Sequence, residues 1–298
     1  MRTSLFWPGL PGSLARRLAP SPGMLLLALC GLFALQSAQG ADKPLVLGVF
    51  PNMTAKQIVE TYRPLADSLE KHLRRRVVIY SARDFETFAD RTYRGEYDIV
   101  LTAPHLAFLA RQEAGYRPLL KYAQPVRGIL VVRHDAPLRE LGDLRGRTLA
   151  TADPLAVAVL AIHAELAAHG LRRDHDYRTL DFSTHLNAAM QVINGRADAA
   201  VMGLHPYNLM QPELRRQLRV LAETPPLSSL MFLTHPRLRD AEAQDIRKGL
   251  LRFAATPKGQ AFIQRGGYGG FAEASGRELE SFRPYALQAQ TLLRDAGR

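Results

Sequence analysis

Cysteine is almost missing from this chain: there is one, Cys30, among 298 residues. It lies in an N-terminal stretch that reads as a removable leader. The remainder then has no thiol, can form no disulfide, and must draw its stability from a buried core. Catalytic signatures are also missing. No G-x-S-x-G, Walker loop or H-E-x-x-H occurs, and the nine histidines show no close metal spacing, so nothing supplies a nucleophile with a base in reach or a zinc site. No cofactor and no metal site are expected. Lysine is scarce, 6 residues against 33 arginines in the total of 39, a bias we read as genome composition. Repeats, low-complexity tracts and apolar runs long enough to span a bilayer are lacking as well.

Positions 1 to 40 contain no acidic residue. Arg2, Arg16 and Arg17 form a basic region, and Met24 to Gln36, MLLLALCGLFALQ, forms an apolar core of signal-peptide length. Ala38 and Gly40 suggest cleavage before Ala41. An uncleaved anchor is the alternative. Leu29 before Cys30 argues against a lipoprotein box, which prefers a small residue there, and Arg16-Arg17 is a weak twin-arginine signal. Cleavage leaves 298 − 40 = 258 residues, with 39 − 3 = 36 basic and 28 acidic side chains, a net charge of +8. The charges are scattered, with no arginine stripe interleaved by aromatics, so nucleic acid is not an expected partner.

The mature part alternates short apolar runs with amphipathic stretches, the pattern of an α/β fold. LVLGVF (45 to 50), VVIYSA (77 to 82) and DIVLTA (98 to 103) read as strands, and Thr54-x-x-Gln57 as a capping box before a helix. YRPLLKYAQPVRGILVVRHD (116 to 135) holds two strand-like runs with no helix between them, so the chain leaves its first sheet there. RTLAT, a helix from Leu155, YRTLDF, a helix over 184 to 195 and AAVMG form a second α/β unit, and LRVLAE and SLMFLTH mark the return. The expected architecture is two lobes, each a mixed sheet flanked by helices, joined by two strand crossings. Lobe 1 comprises 41–127 and 234–298, and lobe 2 comprises 128–233. Ligands in such folds meet the carboxyl ends of strands.

Several segments carry a family likeness: GVFPNMT (48 to 54), YRPL (62 to 65), EYDIVLTAPH (96 to 105), DLRGRTLA (143 to 150), ADP (152 to 154) and HLNAAMQVINGRADAA (185 to 200). Together they resemble the periplasmic phosphate/phosphite/phosphonate-binding proteins of ABC transporters, which have the type 2 periplasmic binding protein fold. The resemblance implies closure of two lobes on a small oxyanion. It places His185 at the family histidine, Thr102 where a first-lobe side chain reaches the ligand, and Phe85 where an aromatic does. The family's Ser/Thr run after Asp-Pro is replaced by Leu155, Ala156, Val157 and Ala158. Losing two or three hydroxyl bonds to a charged ligand, each worth roughly 1.5–3 kcal/mol, suits an organic ligand with one anionic end better than bare phosphonate.

Around the inferred cleft, the candidate ligand-binding residues are Asn52, Met53, Phe85, Thr102, His105, Leu155, Ala156, His185 and His205. Each has a structural alternative. Phe50 serves either as wall or as core, Thr102 as ligand contact or helix cap, and His185 as anion donor or turn organiser. Ser183, Thr184 and Asp153 read as helix caps, and an unpaired Asp153 carboxylate would repel an anion. The functional expectation is an exported, soluble, monomeric, non-enzymatic periplasmic protein that delivers a small anionic ligand, phosphonate-like or an organic acid, to an ABC permease. A sensory module for a membrane receptor is the alternative, and an enzyme on the same scaffold is a third reading.

Overall fold

A computed structural model describes residues 43–182 and 184–296. The expected leader, with Cys30 and the cleavage point after Gly40, and the cap candidate Ser183 lie outside these residues. The first α/β unit runs β1 (Leu45–Val49), α1 (Ala55–Leu73), β2 (Val77–Tyr80), α2 (Phe85–Tyr93), β3 (Ile99–Thr102), α3 (Pro104–Ala114) and β4 (Arg117–Tyr122). The second runs β5 (Gly128–Arg133), β6 (Thr148–Thr151), α4 (Val157–Ala168), β7 (Arg178–Asp181), α5 (His185–Ile193), β8 (Ala199–Gly203), α6 (Leu204–Asn208), α7 (Pro212–Arg215) and β9 (Leu218–Glu223). The chain then returns as β10 (Met231–Thr234), α8 (Asp240–Ala254), α9 (Pro257–Gly266), β11 (Phe271–Glu273), α10 (Gly276–Glu280) and α11 (Arg283–Ala296).

These strands form two mixed sheets. One has the order β11-β4-β10-β3-β1-β2 and the other β7-β6-β8-β5-β9. β1 pairs in parallel with β2 and β3, and β10 lies antiparallel between β3 and β4. In the second sheet β6 is parallel to β7 and β8, while β5 is antiparallel to β8 and β9. Helices cover both faces, which is why the inner strands are apolar on both sides. Leu47, Leu65 and Phe232 share one core with Ile246 of α8, and Val100, Phe108 and Met231 share the other. In the second sheet Leu149, Val159 and Val201 pack on one face, and Ile129, Ala188 and Met202 on the other.

The helix signals act as expected at several ends. Thr54 and Gln57 form the capping box of α1, Pro104 occupies the first turn of α3, and Thr256 caps α9 by accepting from Gly259 N. Two boundaries differ from the sequence reading. Met231, Phe232 and Leu233 hydrogen-bond into the first sheet, so the second crossing precedes Met231 and the lobe boundary does not fall at 233. The helix expected from Leu155 begins at Val157. Asp153 holds the preceding turn, its Oδ1 accepting from Leu155 N and its carbonyl from Ala156 N, both at 2.8 Å. Among the described residues no helix is long and apolar enough to cross a membrane.

The two crossings, 123–127 and 224–230, are tied to each other. Val126 and Leu227 exchange a pair of backbone hydrogen bonds, N to O at 2.9 and 2.8 Å. Glu278 of α10 anchors this region, taking Ser228 Oγ at 2.7 Å and pairing with Lys121.

Candidate functional site

Between the sheets lies a cleft of about 540 Å³. Its walls come from the ends of strands and the starts of helices: Phe50 after β1, Phe85 at the start of α2, Ala103 between β3 and α3, Ala156 to Ala158 at the start of α4, His185 at the start of α5, and Gly203 to Pro206 after β8. This is where an α/β sheet presents ligand sites. The floor is made by the crossings, with Tyr122 to Arg127 on one and Ser229 and Leu230 on the other, and Gly266 to Tyr268 close a further side.

Five of the nine sequence candidates line the cleft: Asn52, Phe85, Ala156, His185 and His205. The other four are placed elsewhere. Met53 is half-buried against the core shared by α1 and α8. Thr102 is buried in β3, in register with Met231, and its side chain is 1% exposed. Leu155 turns away from the cleft into the first unit's core, among Phe88, Val100, Ala103 and Leu106. His105 is fully buried behind the cleft wall, where its Nε2 donates to the Leu155 carbonyl at 3.0 Å. That ring is therefore a strut between the two units instead of a ligand contact. Burial pushes its pKa down to about 4, so it is neutral at pH 7, and its Nδ1 has no partner.

Leu155 and His105 join the units on one flank. On the other, His205 leans on Gly267, where an added Cβ would stand 2.6 Å from the His205 Cε1. Gly267 has φ +61°, the left-handed region that ends α9. Within the second unit a further close approach occurs at Gly128, where a Cβ would meet the Ala158 carbonyl at 2.9 Å. The start of β5 and the start of α4 can sit this close because position 128 has no side chain.

The polar equipment of the cleft is sparse. No side chain caps α4, so the N–H groups of Val157 and Ala158 have no intrahelical acceptor and carry the positive end of a twelve-residue helix. At the start of α5, Thr184 Oγ1 accepts from Asn187 N at 3.1 Å, the capping role expected of it. His185 is held neutral, its pKa lowered to about 4 by burial although its ring also hydrogen-bonds the Val201 backbone. Its Nδ1 is buried and unpartnered. With the other nitrogen donating to a carbonyl, Nδ1 carries a lone pair and can accept but not donate a hydrogen bond. Arg127 is the only Lys or Arg among the lining residues, and its Nη1 is paired with Glu223 Oε1 at 2.7 Å. Just outside the lining, Asp153 has a raised pKa, from burial and from the nearby Asp181 and Asp84 carboxylates, against the pull of its bond from Leu155 N.

Aromatic and aliphatic surface makes up much of the remainder. Phe50 and Phe85 pack with centroids 4.1 Å apart, and Phe50 meets Phe88 edge-on at 5.9 Å. Tyr122 and Tyr268 stack at 3.9 Å with planes 7° apart, and the Tyr122 hydroxyl donates to Tyr62 at 3.3 Å. The sequence reading missed the floor residues and Gly266 to Tyr268. The two strand-like runs over 116 to 135 were the available signal for the floor, since a crossing between lobes must pass under any cleft they form. Among the described residues no group of three His, Cys, Asp or Glu side chains is placed to hold a metal.

Comparison with known proteins agrees with this geometry. Residues 47–279 match the model of a family described as ABC transporter, phosphonate, periplasmic substrate-binding protein. The chain is 21% identical over 284 residues to the phosphonates-binding periplasmic protein of Escherichia coli, covering 88% of this chain and 83% of that one. Among solved structures it resembles a binding protein component of an ABC phosphonate transporter from Pseudomonas aeruginosa, with TM-score 0.73, 19% identity, and coverage of 84% and 87% of the two chains. It also resembles a Prochlorococcus marinus protein in complex with methylphosphonate, with TM-score 0.75, 13% identity, and coverage of 83% and 98%.

Proposed function

This chain belongs to the family of phosphonate-type periplasmic substrate-binding proteins of ABC transporters, and from that premise we propose that it captures a small anionic ligand, phosphonate-like or an organic acid, in the cleft between its two sheets. The observation that carries this reading is the meeting of an uncapped helix start and a cleft of about 540 Å³ at the strand ends. Anions bind at such helix starts because free N–H groups and the helix dipole point at them.

In this reading residues 1–40 are removed on export to the periplasm and the mature monomer performs no chemical step. Lobe 1 comprises 41–127 and 231–298, and lobe 2 comprises 128–230. The ligand touches both, which gives closure its differential free energy, and the closed face is what a membrane permease recognises. Asn52, Phe85, Ala156, His185 and His205 are its contacts, with His105 and Leu155 acting as the strut behind them. The family description and the Pseudomonas aeruginosa relative are of ABC transporter components, which favours transport over the sensory alternative.

The test is a thermal-shift screen of the purified mature chain with phosphonates, sulfonates, carboxylates and neutral analogues. A ligand at 100 times its Kd adds about 2.7 kcal/mol of stability. Acids should raise the melting temperature and their neutral analogues should not. A flat response to every acid would remove this reading.

A further inference from the structure

The cleft is larger and less charged than a small oxyanion requires. At roughly 30 Å³ per water-sized group, its 540 Å³ accommodates about eighteen such groups, whereas methylphosphonate has only five heavy atoms. The space is already bounded on both flanks, by Leu155 with His105 and by His205 with Gly267. For the acid group the cleft offers backbone N–H groups at the start of α4, the neutral imidazole of His185 can only accept at its free Nδ1, and the one guanidinium among the lining residues is already paired with Glu223. The start of α4 bears no hydroxyl, only Ala156, Val157 and Ala158. What the cleft offers in quantity is apolar surface: Phe85 packed on Phe50, Val157 and Leu230, and the Tyr268 ring.

We propose that the ligand is an amphipathic anion, with one acid group at the start of α4 and an aromatic or alkyl body lying between Phe85 and Tyr268, and that this body supplies most of the affinity. The proposal rests on the periplasmic-binding reading above and narrows it to a substrate class. Phe85 and Val157 become the specificity-determining residues. Phe85 forms the face on which the body rests, and Val157 excludes the hydroxyl that would favour a compact head.

The experiment is isothermal titration of the mature chain with methylphosphonate, benzylphosphonate and benzyl alcohol. Complete burial of an aromatic body is expected to make benzylphosphonate roughly 10- to 150-fold tighter than methylphosphonate, with benzyl alcohol weaker than benzylphosphonate. Phe85→Ala, checked for folding by its melt and backed by the milder Phe85→Leu, should weaken benzylphosphonate more than methylphosphonate and so shrink the benzyl preference. A variant that had merely lost its fold would weaken both by the same factor. Val157→Ser should move the other way and strengthen methylphosphonate. Methylphosphonate binding as tightly as benzylphosphonate overturns the proposal and leaves the family reading standing. Absence of binding by either phosphonate, and by benzylsulfonate and phenylacetate, overturns both.

Discussion

Replacing Leu155 by alanine probes whether the two units are held together by apolar contact. In the structure its side chain is 7% exposed and belongs to the first unit's core, although its backbone belongs to the second. Parting the units exposes it. Leu155→Ala removes three carbons, at about 0.8 kcal/mol for each buried methylene, so about 2.4 kcal/mol of lobe-to-lobe attraction is lost. The upper limit is about 5 kcal/mol, if the rest of that core leaves the space unfilled. At 1.4 kcal/mol per decade, 2.4 kcal/mol lowers the ratio of engaged to parted forms by roughly 50-fold. Small-angle scattering of the ligand-free protein should give a larger radius of gyration for the variant, and ligand affinity should fall by up to the same factor, because ligand must then supply the closing energy. An unchanged radius of gyration together with unchanged affinity, in a variant whose melting temperature drops, would show that Leu155 only fills a core and would refute the reasoning.

Acid should weaken the fold. His105, His163 and His185 each have a pKa lowered to about 4 by burial, against about 6.5 unfolded. Between pH 6.5 and 4 the unfolded chain binds protons that the folded chain refuses, so stability falls as pH falls through that window, by up to ~3 kcal/mol per histidine. The raised Asp153 carboxyl opposes this in part. Melting temperatures that stay level between pH 7 and pH 4.5 would contradict it, and His163→Phe should flatten the slope. His185→Phe removes the Nδ1 acceptor and should weaken binding of a phosphonate monoanion, whose remaining O–H donates to it, by roughly 2- to 12-fold, the equivalent of one hydrogen bond of about 0.5–1.5 kcal/mol. Calorimetry matching the unmodified chain would remove that ring from the site. Gly128→Ala forces a Cβ to within 2.9 Å of the Ala158 carbonyl and should cost about 1–3 kcal/mol, read as a fall in melting temperature. No fall would mean that α4 gives way freely at its start.

Much of the fold was legible because its elements carry their own signals. The capping box at Thr54, Pro104 at a helix start and the paired apolar runs over 116 to 135 all describe what the chain does locally. β11 was not anticipated: its three residues follow two consecutive positive-φ glycines and gain a strand role only by pairing with β4. In the site, residues at helix starts were identified because a helix start has a sequence signature. Leu155 was misplaced for a related reason. Its position in sequence beside Ala156 suggested a shared lip, but Asp153 tightens a turn there, and that turn sends the leucine into a neighbouring core. His105 similarly sits near a strand end yet points behind the wall, and only the three-dimensional path of Leu155 reveals its partner.

Because Val126 and Leu227 bind each other through their backbones, the two connecting segments cannot flex independently. They form one short ribbon, and swinging of the halves is confined to rotation about it. Points near such a pivot travel little and points at the rim travel far. Tyr122, Gln124 and Tyr268, whose carbonyl accepts from Gln124 N at 2.8 Å, thus act as a fixed datum against which a guest is seated, and His205, beside the Leu204 N–H that donates to the Arg127 carbonyl at 2.9 Å, stays close to the pivot.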